Sequence, residues 1–557
     1  MRRHSTRRCR AHRSARAVLA SALLCLAALP WPAAAQTAPA PSLREEIAER
    51  INAGFAGVID ATTQIAELGD LDGDGLPDVV RAVDDNQGRR VLVAHRGVDG
   101  EILWTARREA RLVGVLPGMI SPDAKGGVIL VLVGSASTTA TPVGERTQYP
   151  IRYEAIGHDG DTLWVQEEIG TLDVIGTRAV LRGVPIGVAL LDGGDAPDRL
   201  VVQTWDGVRV EGSEPRDVYR STVLAGPIGD VLGVAVTAAP GANGGVRPLP
   251  LPDLTGDGVG ELGVVLRDQY GYQDLFVHSG ADATPRWRST TVAAKPTAEI
   301  LPVRVGDATG DGVADLVLFS PSYNLVRGTA YFFDGATGVE RWQRRDVRPY
   351  ELGDIDGDGA REIGLAALLL TGDEVVASFD AVDDAGVVVR STHRQIDPLK
   401  GGGVAFSFDI LDADADGFGD VAYTAATYHP GTFDVREAAR GVWSGRTGEP
   451  FWDGATDERA IANFAPIGAT SGEGQDLLSV ALEGEYAEVA LDAVTGSTIW
   501  QQPRFETRTF YRFQTMADFD GDGADDLLYA DETPWLGVRS GVDGTLRWNG
   551  GFLPGYF

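Results

Sequence analysis

Cysteine is nearly missing from this 557-residue sequence: its two copies, Cys9 and Cys25, both fall within the first 35 positions. A disulfide framework is therefore excluded for the rest of the chain, whose loops must be fastened by other means. Basic residues are also scarce, 49 Lys and Arg against 80 Asp and Glu, for a net charge of −31. Seven of the arginines lie before position 36, where no acid occurs, so the remainder is more acidic still. Such a polyanion carries the sign of nucleic-acid phosphates and anionic lipid, which excludes both as partners. Beyond position 35 there is no run of about 18 uncharged apolar residues, so no membrane-spanning helix is expected. Hydrophobic residues still make up 43% of the chain, too many for a disordered acidic tail.

The first segment reads as an address. Arg2, Arg3, Arg7, Arg8, Arg10, Arg13 and Arg16 precede an apolar stretch from Ala17 to Leu29, and Ala33, Ala34 and Ala35 supply a small-residue cleavage pattern. This predicts a signal peptide over 1–35 and an exported protein: secreted, periplasmic or at the cell surface. Residues 36–57 read as a Pro/Ala linker followed by a short helix. There Ser42 and Glu45 form a capping box, Leu43, Ile47 and Ile51 share one face, and Gly54 ends the turn.

Internal repetition dominates what remains. The pattern D-x-[DT]-x-D-G-x-x-[DE] occurs six times, starting at Asp70, Asp253, Asp307, Asp354, Asp412 and Asp518. Each copy runs into a short β-type stretch such as Leu316–Ser320. Neighbouring starts 54, 47 and 58 residues apart leave room for about four short strands per unit. A second marker lies out of phase: Gly100, Gly160, Gly338, Gly448, Gly496 and Gly544 each precede a tryptophan by four positions. The tryptophans are Trp104, Trp164, Trp342, Trp452, Trp500 and Trp548, with Trp287 a seventh behind Ala283. A glycine turn followed by an aromatic reads as a hairpin with a packing anchor. This marker exposes three decayed units, at Ser121–Val133, Asp192–Asp198 and Gly472–Asp476. The expected fold is all-β: a single propeller of about eight blades (seven to nine), four strands each, over 58–557.

The acidic motif has the chemistry of a calcium loop. Carboxylates at positions 1, 3, 5 and 9 converge if the backbone curls around one centre, glycine at position 6 permits the curl, and position 7 offers a carbonyl. The candidate ligands are Asp70, Asp72, Asp74, Leu76 and Asp78 in the first loop, and Asp253, Thr255, Asp257, Val259 and Glu261 in the second. Asp307, Thr309, Asp311, Val313 and Asp315 follow, then Asp354, Asp356, Asp358, Ala360 and Glu362. The last two sets are Asp412, Asp414, Asp416, Phe418 and Asp420, and Asp518, Asp520, Asp522, Ala524 and Asp526. Two carboxylates about 4 Å apart repel by about 4 kcal/mol at an effective dielectric near 20 unless a cation intervenes. An all-oxygen donor set without His or Cys selects Ca²⁺ over zinc or copper. About four to six ions are expected, with weaker binding at the threonine loops, which carry one charge fewer. Merely solvated acidic turns would not repeat this placement. An EF-hand would need a glutamate at position 12, where the chain has Arg81, Val264, Leu318, Leu365, Tyr423 and Tyr529.

An acidic nine-residue loop within repeats of this length resembles the FG-GAP (VCBS-type) repeat, as in the N-terminal propeller of integrin α subunits. The resemblance implies a ring-closed propeller with calcium on one face and a surface used for binding. The family's phenylalanine-glycine and glycine-alanine-proline signatures are mostly absent here.

Segments on the face opposite the acidic loops carry Tyr270, Tyr272, Tyr323, Tyr428 and Trp535, candidates for stacking on sugar rings or anchoring a protein. The function expected is a monomeric, non-catalytic binding or adhesion module for an extracellular protein or glycan. The alternative is a propeller enzyme. The stretches Tyr331–Trp342 and Ala490–Trp500 look similar to the tryptophan-docking repeat of quinoprotein dehydrogenases, and polysaccharide lyases also occur on calcium-loaded propellers. Against catalysis, His95, His158, His278, His393 and His429 are scattered among different units, with no nucleophile elbow or zinc pair beside them.

Overall fold

The second strand of most repeats is apolar on both faces, and this decides the architecture. In Leu316–Pro321 and Gly127–Val133 nearly every residue is buried, whereas Glu340–Glu351 and Ile102–Arg108 are largely exposed. A strand buried on both faces has to sit between two sheets. Leu316 and Leu318 pack with Leu275 and Val277 of the preceding repeat, while Val317 packs with Ile363 and Leu365 of the next. Period-2 alternation thus sends successive side chains to opposite neighbours.

The computed structural model describes residues 64–550, apart from 85–89, 109–110, 122–125, 143, 176–177, 195, 212–213, 241–247, 268–271, 294–299, 322–327, 372–373, 397–403, 430–434, 456–461, 469–473, 482–485, 504–510 and 532–535. All described residues belong to one compact unit, Ala40–Phe557. They form antiparallel strands and no helix. The signal peptide expected over 1–35 and the helix expected between Ser42 and Gly54 lie outside the described residues.

Nine repeats follow one another, at the upper end of the expected range: 64–108, 111–182, 185–240, 248–293, 301–346, 347–396, 404–455, 462–503 and 511–550. They are called units 1 to 9 below. Unit 1 shows the plan, with strands Gln64–Gly69, Asp78–Asp84, Arg90–His95 and Ile102–Arg108 paired in sequence order. Units 5 and 6 share one seven-stranded sheet. The strand Glu340–Glu351 pairs through its first half with Gly328–Phe333 and through its second half with Ile363–Thr371. First strands lie side by side between units 1 and 2, 2 and 3, 3 and 4, and 7 and 8, and the first strand of unit 9 lies against that of unit 1. Val79 of unit 1 shares a core with Phe519, Leu528 and Trp548 of unit 9, so the chain closes into a ring. This is a β-propeller.

The tryptophan marker joins blades. The Trp548 ring packs on Gly100, Trp104 on Gly160, Trp164 on Gly229, Trp287 on Gly338, Trp342 on Gly386, Trp452 on Gly496 and Trp500 on Gly544. Each tryptophan therefore covers the turn of the following unit and not its own. A Cβ at Gly100 would stand 2.5 Å from the Trp548 ring, and the glycine has φ +73°, so no side chain fits. In unit 4, where Ala283 replaces the glycine, the alanine takes the same left-handed backbone at φ +61°.

Candidate metal centres

All six acidic motifs lie between the first and second strands of their units, and the decayed stretch Ser121–Val133 runs into the second strand of unit 2, Gly127–Val133. Position 12 falls inside the second strand in every complete copy, as at Arg81 in Asp78–Asp84 and Leu318 in Leu316–Pro321, which removes the EF-hand reading.

The loops are built from their own carboxylates. The position-1 aspartate caps amides further along the loop: Asp70 Oδ1 accepts from Gly73 N at 2.6 Å and Oδ2 from Gly75 N at 2.9 Å. Asp354 and Asp518 do the same toward Gly357 and Gly359, and toward Gly521 and Gly523. The position-5 aspartate turns back on the position-7 amide in all six copies. Asp74 accepts from Leu76, Asp257 from Val259, Asp311 from Val313, Asp358 from Ala360, Asp416 from Phe418 and Asp522 from Ala524. Gly73 and Gly75 have φ of +88° and +89°, the curl that aims these groups inward. The curl thus needs positive φ at position 4 as well as at position 6. In the loop at Asp412, Ala415 adopts it at position 4 with φ +57°.

Position 9 does more than close a shell. Asp78 is fully buried; its Oδ2 accepts from Leu71 N at 2.7 Å and its Oδ1 from Gly97 N at 2.9 Å, in the turn after the third strand. Asp315 with Ala308 and Gly335, Asp420 with Ala413 and Gly445, and Asp526 with Phe519 and Gly541 repeat the clamp. The decayed unit 8 keeps the half that reaches the turn, Asp476 accepting from Ala493 N. One buried carboxylate thus ties the acidic loop to the neighbouring turn of its own blade.

The clustered charges are strained electrostatically. Burial, with Asp72 and Asp74 adding their charge, pushes the Asp78 carboxyl up to about 6 despite the two amides that stabilise its anion. Burial likewise raises Glu261, Glu362, Asp420 and Asp526 to about 7, with neighbouring loop aspartates contributing. Five loops bring three acidic groups together with oxygens within 4.8 Å of one another: Asp70, Asp72 and Asp78; Asp253, Asp257 and Glu261; Asp354, Asp356 and Glu362; Asp412, Asp414 and Asp420; Asp518, Asp520 and Asp526. The loop at Asp307 is not among these groups. In the threonine loop at Asp253, Thr255 Oγ1 donates to Glu261 Oε1 at 2.8 Å. Asp412 Oδ1 is buried without a hydrogen-bond partner among the described residues, an acceptor left for a cation. These clusters can hold metal ions. Arginines share some of the carboxylates, Arg96 reaching Asp72 at 2.7 Å and Arg547 reaching Asp520 at 2.5 Å.

Of the aromatic candidates, Tyr270, Tyr323 and Trp535 lie outside the described residues. Tyr272 begins the strand Tyr272–His278 and Tyr428 ends Asp420–Tyr428, but their side chains are likewise outside the description. His95 and His278 are core residues. His95 stacks on Trp548 with ring centroids 5.9 Å apart, and burial, with Arg81 adding its charge, lowers it to about 4. His158 is a turn residue whose carbonyl accepts from Trp104 Nε1.

No protein-family model matches the chain, and no curated protein is similar to it in sequence. Among solved structures it is similar to a quinohemoprotein alcohol dehydrogenase from Pseudomonas putida, at 11% identity and a TM-score of 0.32, covering 81% of this chain and 68% of that one. It is also similar to a rhamnogalacturonan lyase of Bacillus licheniformis, at 14% identity and 0.30, covering 87% and 85%. A third is BBS1N in its complex with ARL6DN, at 13% identity and 0.29, covering 63% and 90%. At such scores the likenesses carry no argument about activity, and the propeller rests on the sheets described above.

Proposed function

We propose that this protein is an exported β-propeller whose blades are fastened by calcium and whose surface serves as a non-catalytic binding module. The observation that carries the calcium part is the gathering of three acidic groups in each of five loops. The donors are all hard oxygens, which favours Ca²⁺ over softer-ligand metals. Asp70, Asp72, Asp74 and Asp78, with their counterparts in the other loops, would hold the ion. Bound there, calcium would cancel the repulsion that raises the position-9 carboxyls and would fix the loops in a chain that has no cysteine beyond position 25.

Binding without catalysis is favoured by how the acidic groups are used. Their oxygens are engaged by backbone amides of their own loops, and the buried imidazole of His95 is held uncharged near neutrality, a poor proton donor. The partner we propose is an extracellular protein or glycan, met by a monomer through the face that carries Tyr272 and Tyr428. Signal-peptide removal near residue 35 belongs to the same reading.

The test is thermal unfolding of chain 36–557 with calcium and with chelator, paired with metal analysis. Four to six bound ions and a large fall in Tm on chelation are expected, and no bound metal with an unchanged Tm overturns the calcium reading. For the module, joint substitution of Tyr272, Tyr428 and Trp535 should abolish capture of the partner found in a glycan and surface-protein screen while leaving Tm unaltered. Retained capture removes the aromatic face.

A further inference from the structure

Between units 2 and 3 the blades do not close completely. A cavity of about 200 Å³ lies between the third and fourth strands of unit 2 and the second, third and fourth strands of unit 3. That is room for roughly six or seven waters at about 30 Å³ each, the bulk of a single sugar ring.

The gap has a cause in the sequence. In unit 5, Tyr331 and Phe333 of the third strand fill the seam toward unit 4, with Tyr331 paired to Leu318 and Phe333 to Leu316. Unit 3 presents Thr222 and Leu224 at the same register, paired to Val202 and Leu200. Threonine in place of tyrosine leaves the volume unfilled and adds a hydroxyl to its wall.

The opposite wall is polar and unsatisfied. Tyr153 is fully buried, lines the cavity, and its Oη has no hydrogen-bond partner among the described residues. Gln166, its direct cross-strand partner, also lines the cavity with a buried and unpartnered Oε1. A buried hydroxyl and a buried amide oxygen without partners each carry a desolvation cost of about 1–3 kcal/mol. Two such groups facing one cavity call for an occupant that supplies a donor to Gln166 and either role to Tyr153. The lining adds Thr204 and Thr222, an apolar flank of Val202, Leu224 and Val231, and one charge of each sign, Glu168 and Arg220, which offset each other and leave the wall without net charge.

We infer that this seam is a binding site for one neutral, pyranose-sized polyol, the chemistry of a sugar residue. Hydroxyl groups donate and accept, so they satisfy Tyr153 and Gln166 together, and the C–H face of a sugar ring suits the apolar flank. The site is separate from the acidic loops and does not depend on their ions.

The experiment is calorimetric titration of the calcium-supplemented full propeller with D-glucose, D-galactose and D-mannose, alongside the charged amino acids glutamate and lysine, which have ten heavy atoms each against twelve in a hexose. The expected result is saturable binding of at least one hexose, weakened about three- to tenfold in Tyr153→Phe, the worth of one neutral hydrogen bond. Thr222→Tyr, which restores the side chain found in unit 5, should abolish binding without lowering Tm. Tyr153→Phe keeps the ring in place and so reports on binding even if the bulkier variant folds poorly. Absence of saturation with all three hexoses, meaning a cavity that holds water only, overturns the inference. So does hexose binding that Tyr153→Phe leaves unchanged, which would locate the sugar elsewhere and leave the module reading intact. Preference for the amino acids overturns the ligand class.

Discussion

The indole of Trp548 donates its Nε1–H to the carbonyl of Gly97 at 2.5 Å, although 451 positions separate them. The same glycine gives its own N–H to Asp78. One residue thus receives the last blade on its carbonyl oxygen and the first acidic loop on its amide nitrogen. Trp287 with Gly335 and Trp500 with Gly541 repeat the arrangement, the amides going to Asp315 and Asp526. Metal loops and blade seams are therefore mechanically joined.

Removing the closing indole should be costly. Trp548→Ala deletes a ring that is only 8% exposed and empties the seam between units 9 and 1, so a loss of about 3–5 kcal/mol is expected. The measurement is denaturant unfolding together with limited proteolysis, in which the strands after residue 511 should become the first cleavage sites.

The two kinds of loop aspartate should separate cleanly. Asp78→Ala leaves the amides of Leu71 and Gly97 unpaired, at about 1–3 kcal/mol each, so stability should fall with calcium and with chelator alike. Asp74→Ala leaves the clamp intact and should reduce only the calcium-dependent part of Tm. Equal behaviour of the two variants in chelator would contradict the clamp.

The pH response of the ion-free protein follows from the raised carboxyls. Asp78 at about 6 and Glu261, Glu362, Asp420 and Asp526 at about 7 hold their protons more tightly folded than unfolded. Their contribution is complete below the ordinary carboxyl values and is lost as pH rises through about 6–7. His95 acts the other way, its contribution being lost as pH falls from 6.5 through about 4. With these five carboxyls, and Asp409 raised by burial to about 7 as well, against the imidazoles of His95 and His278, both lowered by burial, chelated protein should melt higher near pH 5 than near pH 7, and saturating calcium should erase or reverse the order. Calorimetric scans across that range decide it.

Affinity should differ between loops. Asp72 and Asp520 are each paired to an arginine, whereas among the described residues no ion pair engages Asp354, Asp356 or Asp358. The loop at Asp354 should therefore bind calcium most tightly, and Asp356→Asn should remove the tightest step of a calcium titration while leaving the others.

The sequence showed the acidic loops clearly because their logic is local: Asp70, Asp72, Asp74 and Asp78 all lie within nine residues, and glycine marks the curl. The decayed unit around Ser121 is legible too, since Trp164 and Gly160 later in the same unit keep the repeat period when the acids drift. What stayed hidden lies beyond the nine-residue motif. Nothing within unit 1 shows that Trp104 covers Gly160 of unit 2, or that Asp78 reaches Gly97. Glu340–Glu351 shows no sign of serving two blades, because its run of charges reflects exposure and says nothing about pairing. The cavity beside Tyr153 depends on Thr222, about 70 residues away, and on a register that only the paired strands define.

The shared strand of units 5 and 6 has a consequence for how the ring can move. Nine blades form eight sheets, so around the circle one junction is spliced by a continuous strand, while others meet through side chains and single loop-to-loop backbone bonds such as Asp198 N to Met119 O and Gly260 N to Asp192 O. Side-chain contacts can slide and reseat, but a spliced backbone transmits torque. Units 5 and 6 should therefore turn as one stiff plank, opposed across the ring by the seam that Trp548 closes. A propeller built this way opens like a clasp: the splice is the hinge plate, and the Trp548 seam is the catch.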